Sequence, residues 1–162
     1  MVLDMTGPTF ELANAHRWFA KHLNNQAWDL LELEQLTPAP RELMRNTAHT
    51  AWRHWWEIGD VINHQRAEYL LAHVHVALEE PAAAVHHAVR SVQLADEAGE
   101  SYRAFDQVFS HDAAASAYQI SGSVHEEQHQ STKIEAARAL LTDQTEQRVA
   151  NEWLNRRESA AN

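Results

Sequence analysis

AHVHVALEEPAAAVHHAVRSVQLA, running from Ala72 to Ala95, is the stretch that decides the fold. Its left half belongs to a longer run, Asn63 to Glu80, that is apolar on most of its circumference. A helix of that kind is covered on several sides and belongs at the centre of a molecule. Pro81 suits the first turn of a second helix, where a missing N–H costs nothing. From there Ala84, Ala88, Ser91, Val92 and Ala95 recur on one stripe, and the helix stops near Gly99. Long helices joined by so short a link must lie antiparallel. The stretch therefore predicts a helical hairpin.

The same periodicity extends in both directions. A first helix is expected from about Thr9 to Glu34, with Phe19, Leu23, Ala27 and Leu30 on one side. Pro38 and Pro40 disfavour helix in the residues before them and end it. A second, from Arg41 to Ile58, gathers Met44, Ala48, Ala51, Trp55 and Ile58, and Gly59 closes it. Beyond Gly99 a fifth is expected from Tyr102 to Ile120, a sixth from Val124 to Leu141 and a seventh from Gln144 to Arg157. Nothing reads as a strand. The fold class is all-α, about seven helices in antiparallel hairpins, forming one domain over residues 1–162.

The hairpins also resemble one another. Ala72 and His75 stand on the small and aromatic sites of a first helix, and Ala84, Ala88 and Ser91 on the packing sites of a second. In the next unit Ala115, Tyr118 and Gly122 take the small, aromatic and turn sites. About 40 residues separate Ala48 from Ala88, Ala51 from Ser91 and Gly59 from Gly99. In this the chain resembles the tetratricopeptide repeat, with about three degenerate hairpins and a C-terminal helix as a cap. Glu68 departs from the pattern, standing where the repeat has an aromatic residue, and the first unit has a longer first helix and an irregular linker. Over most of its length the chain also resembles an uncharacterised bacterial family of similar size. The repeat resemblance implies a right-handed stack whose first helices line a concave face.

Composition excludes several classes of function. With 13 basic against 23 acidic side chains the formal charge is −10, which disfavours nucleic acid as a partner. No cysteine is present, so disulfides, thiolate nucleophiles and cysteine-ligated zinc are excluded, in keeping with a cytoplasmic location. The first residues carry no signal-peptide pattern, and no apolar run has the length to cross a membrane. Twelve histidines are the odd feature: protonating all of them brings the charge to +2, so acid should lower solubility.

His125 to His129 reads HEEQH and fits the H-E-x-x-H pattern of zinc metallopeptidases. Such a site needs both histidines on the supported side of their helix, an apolar wall and a third ligand. Here Ile134, Ala137 and Leu141 mark the buried side of the sixth helix. His129 and His125 project roughly 140° and 180° away from Ile134, so both are expected in solvent. A similar His-x-x-x-His occurs in the DinB-like metal-binding bundles, where an early helix adds a further histidine; His49 or His54 is placed to supply it.

Other groupings read as structural. His64, Glu68, His75 and Glu79 share one side of the third helix, within roughly 60°. They suit a divalent ion or, as we expect, hydrogen bonds beneath neighbouring helices. Trp55 is expected in the core, and Trp56 with His49 on the surface, as a pair or a contact with another subunit in a homo-oligomer. Asp106 and Asp112 are considered as an acid–base pair and expected instead to be solvated or ion-paired.

No glycine-rich phosphate loop and no nucleophile elbow is present, so no organic cofactor is expected, nor a tightly held zinc. The expected function is a protein- or peptide-binding module using the concave groove. By the repeat resemblance, Arg66, Tyr69, His73 and Val76 line that groove from the third helix, and Phe109, Asp112, Ser116 and Gln119 from the fifth. There Arg66 would grip a carboxylate, Tyr69 and Phe109 would offer apolar anchors, and His73 and Ser116 would meet main-chain groups. Against this stands a groove filled by its own side chains or by the terminal helix. The alternative function is a metal-dependent enzyme of the DinB-like or H-E-x-x-H type using His125 and His129.

Overall fold

A computed structural model describes residues 11–33 and 35–160. Among them are seven α-helices and no strand: α1 (Leu12–Leu31), α2 (Pro38–Ile58), α3 (Val61–Ala77), α4 (Pro81–Ala98), α5 (Ala104–Ser121), α6 (Val124–Ala139) and α7 (Gln144–Ala160). The expected ends of the first helix, at Thr9 and Glu34, lie outside the described residues. No described helix is long and apolar enough to cross a membrane.

Local chemistry sets the boundaries. Thr37, before the first proline, is extended as that proline requires, but Pro38 itself begins α2, three residues ahead of Arg41. A first-turn proline lacks only an N–H that has no helical acceptor. The link to α3 is Gly59 and Asp60 alone. A Cβ on Gly59 would lie 2.6 Å from the Trp55 carbonyl oxygen, so only glycine fits there. The Asp60 carboxylate accepts from the Asn63 N–H at 2.9 Å, while the Asn63 side chain accepts from the Asp60 N–H at 3.1 Å. That reciprocal cap starts α3 two residues before Asn63. Its far end comes at Ala77, where Glu79 turns the chain with φ of +60°. Gly122, left-handed at φ +79°, ends α5.

Helices α1 and α2, α3 and α4, and α5 and α6 pack as hairpins. The first helices also pack on one another, α1 against α3 and α3 against α5, and α7 continues that row against α5. Two apolar clusters hold the hairpins together. One is Ala27, Met44, Ala48, Leu70, Leu71, Val74 and Leu78 of α1–α3 and the turn after α3. The other is built largely of alanines from α3 to α7, with Tyr69, Val108, Phe109, Ile134 and Leu154. Alanine removes bulk where backbones must approach closely, and Trp28 packs against both clusters.

The central run is central. Residues Ala67 to His75 of α3 are all buried, and α3 touches α1, α2, α4 and α5. The predicted stripe of α4 is buried at Ala84, Ala88, Ser91 and Ala95, and that of α6 at Ile134 and Ala137. Two expectations are corrected. Phe19 remains 42% exposed, in contact with the rings of Trp18 and His54, while Ala20 and Ala27 take the buried side of α1. Trp55 is half-buried at the mouth of a polar cleft with Lys21, Asn24 and Asn63 and is not in the core.

Candidate functional site

Side chains on the row of first helices converge on Trp28 of α1. Its ring meets Tyr69 at 6.2 Å, His73 at 5.6 Å, Phe109 at 5.8 Å and Trp153 of α7 at 5.0 Å between centroids. Tyr69, His73, Phe109 and Asp112 are thus brought together as expected, but under a covering of two tryptophans. Trp153 donates its indole N–H to Asp112 at 2.8 Å and stands edge-on to His73. Burial, followed by the nearby Asp106 carboxylate, pushes the Tyr69 phenol up, so it stays protonated.

Two openings remain, one on each side of Trp153. The larger, about 350 Å³, has an aromatic floor of Trp28, Tyr69, Phe105 and Phe109 and a rim of Val149, Glu152, Glu32 and Arg156. The smaller, about 200 Å³, lies among Leu31, His73, Val76, Ala77 and Asp112. Ser116 is buried, and Gln119 is exposed beyond both. Arg66 is elsewhere engaged: its Nε and a terminal nitrogen hold the two Asp106 oxygens at 2.6 and 3.0 Å. The carboxylate that Arg66 grips belongs to its own chain. Asp106 and Asp112 therefore have separate partners and do not form an acid–base pair.

A second convergence lies on the other side of α3. One ring nitrogen each of His49 on α2, His75 on α3 and His87 on α4 lie within 4.8 Å of one another. The Nε2 atoms of His49 and His75 are 3.3 Å apart. Behind His75, its Nδ1 meets Glu80 at 2.6 Å, and Arg45 donates to the other Glu80 oxygen. Behind His87, its Nδ1 meets Glu68 at 2.7 Å, and Trp52 donates its indole N–H to the other Glu68 oxygen at 2.8 Å. Burial, then the neighbouring His75 and His87, lower the His49 pKa; burial also lowers that of His75 against the opposing bond from Glu80. Both rings are neutral near pH 7.

This grouping is not the one expected from α3 alone. Glu68 and His75 do bond beneath neighbouring helices, and His64 both donates its Nε2–H to the Trp55 carbonyl oxygen of α2 at 3.2 Å and stacks on Trp56 at 4.2 Å, but Glu79 is exposed. His49 turns away from Trp56, which stacks on Trp52 and His64. His125 and His129 are exposed on α6 and belong to no three-ligand group among the described residues. Neither proposed third ligand joins them, since His49 sits with His75 and His87, and His54 meets His16 at 2.9 Å.

Sequence spacing on one helix cannot reveal a cluster drawn from three. A signal was nevertheless present: His75 and His87 stand nearly equidistant from the turn at Pro81, and an antiparallel hairpin sets such residues side by side. Compared with family models, curated proteins and solved structures, the chain matches none.

Proposed function

We propose that this protein is a binding module of the tetratricopeptide-like kind, taking a protein or peptide segment at the concave row of α1, α3, α5 and α7, in the bacterial cytoplasm. The observation that carries the reading is the larger cleft beside Trp153. An aromatic floor within a rim of both charges, at about 350 Å³, suits one large apolar side chain with a polar neighbour on either flank. Packing of each first helix on the next supports the stack, and the absence of a basic stripe fits a partner other than nucleic acid. Trp28 and Trp153 leave too little open length for an extended chain to lie along the whole groove. The ligand is therefore an anchor residue in a short segment, held at one end of the row.

Buried residues make poor probes, because Tyr69→Ala would empty the core and Arg66→Ala would strand Asp106. Val149 lines the cleft from its partly exposed rim, so Val149→Trp fills the opening without touching the core. The test is selection from a random peptide display library on the purified full chain. Enriched peptides should share one Trp, Phe or Leu anchor and lose at least about tenfold in affinity for Val149→Trp, which is 1.4 kcal/mol. A library that yields no enrichment, or peptides that bind the variant equally, rules out the cleft.

A further inference from the structure

We propose that His49, His75 and His87 bind one divalent transition-metal ion of the zinc class, leaving a coordination position open to solvent. The site is independent of the groove: Glu68 and His75 face α2 and α4, whereas Tyr69 and His73 face Trp28, Phe109 and Trp153.

The tautomers carry the inference. An ionised carboxylate carries no proton, so it can only accept from a histidine, never donate to it. Glu68 accepts from Trp52 and Glu80 from Arg45, so the Nδ1 atoms of His87 and His75 must be the protonated ones. In neutral rings that leaves both Nε2 atoms with bare lone pairs. Two bare nitrogens and a third histidine gathered in one place call for a cation. A carboxylate behind each of two ligating imidazoles is also how proteins orient histidines on zinc and raise their basicity.

The spacing agrees. Nitrogens about 2.05 Å from a tetrahedral ion stand roughly 3.3 Å apart. His49 and His75 already have that separation, at 3.3 Å. The His87 nitrogen lies within 4.8 Å of both, so binding requires at most a small side-chain adjustment there. Without metal, the His49 Nε2–H can donate to the bare Nε2 of His75, so the same geometry also serves the apo chain as a hydrogen bond. That bond employs two of the three rings, while His87, held by Glu68 and stacked on His75 at 5.2 Å, keeps its Nε2 without a hydrogen-bond partner among the described residues.

Three neutral imidazoles and no thiolate select zinc, cobalt, nickel or copper over magnesium and calcium, which require oxygen donors. All four carboxylate oxygens nearby are taken, by Trp52, His87, Arg45 and His75, so a fourth ligand must come from solvent or a bound molecule. His49 is exposed while His75 is buried, which gives the ion a way in and keeps the open position at the surface. A zinc held this way polarises its water.

The experiment is titration of tag-free, metal-stripped full chain with zinc against a chromophoric chelator, with cobalt as the spectroscopic substitute. We expect one site per chain with Kd below about 1 μM. Cobalt should give the intense visible bands of a four-coordinate ion. His49→Ala and His87→Gln should each weaken binding more than about 100-fold, and Glu68→Gln about 10–100-fold by releasing the ring behind the ligand. The double variant His125→Ala/His129→Ala should bind as wild type. His49 is exposed, so its variant stays folded, and circular dichroism verifies this for all four. A Kd above 1 μM overturns the proposal, as does binding that survives His49→Ala or disappears in the His125/His129 variant.

Discussion

The indole N–H of Trp153 donates to the carboxylate of Asp112 at 2.8 Å, and this bond ties α7 to the fully buried middle of α5. Trp153→Phe keeps an aromatic ring against Trp28 and His73 and removes the donor with a part of the ring's bulk. We expect a loss of about 1–3 kcal/mol in urea unfolding. Amide exchange should accelerate in α7 and stay unchanged in α3. Uniform acceleration over the whole chain would mean that the bond supports the global fold and does not simply fasten one helix.

Arg66 and Asp106 form a second tie, with the carboxylate fully buried and the guanidinium 40% exposed. The bond to Asp106 raises the Arg66 pKa against the cost of burial. Removing the cation leaves a buried charge without its partner, so Arg66→Ala should cost about 3 kcal/mol. Asp106→Asn should cost less, because the exposed end of Arg66 can turn to water. A double-mutant cycle with thermal or urea unfolding measures the coupling; equal losses from both single variants would contradict the asymmetry.

Zinc at a hundredfold excess over its Kd should stabilise the folded chain by about 2.7 kcal/mol. For a domain of this size that raises Tm by about 5–10 °C, reversibly on chelation. His49→Ala should abolish the shift. Differential scanning calorimetry with and without EDTA measures it.

Burial lowers the pKa of His111, despite its 2.8 Å bond to Gln130, and Lys133 and His129 push the same way. The unfolded chain therefore takes up this proton first, near the ordinary value of about 6.5. Stability is full above that pH and falls as pH drops below it. His49, His54 and His75 are lowered as well and add to the same acid limb. In metal-free protein, His111→Gln should reduce the change in urea midpoint between pH 7.5 and pH 5.5. An unchanged or enlarged difference would show that His111 titrates alike in both states.

The helices were legible because each carries its own signal: a stripe of period 3.6, a proline at one end or a glycine at the other. Ala84, Ala88, Ser91 and Ala95 needed nothing beyond α4 to be placed inside. Boundaries were harder where two local rules compete, as at Pro38, which breaks the residue before it and begins the helix itself. Tyr69, His73, Phe109 and Asp112 lie close together because α3 and α5 pack side by side. The terminal helix was a candidate to fill the space over them, but the side chains that do so, Trp28 and Trp153, were not legible, because they come from the two ends of the chain and their approach is a tertiary event. The histidine cluster escaped for the same reason, being shared among α2, α3 and α4. Arg66 read as a free cation because nothing in local sequence places Asp106, 40 residues away, opposite it.

The pairwise packing of the helices also dictates the order in which the molecule comes apart. Helix α6 finds its main support on α5, and α7 rests on α5 and on single side chains of α1 and α3, while α3 is held by four others. The helix with the least packing around it opens first. The weaker end here is the C-terminal one, where α7 meets α5 through few residues. Gentle heat or a protease should first peel away the stretch from Gln144 onward, and with it one wall of the cleft. The hairpins that carry the three histidines should survive as a folded remnant, still competent to hold an ion.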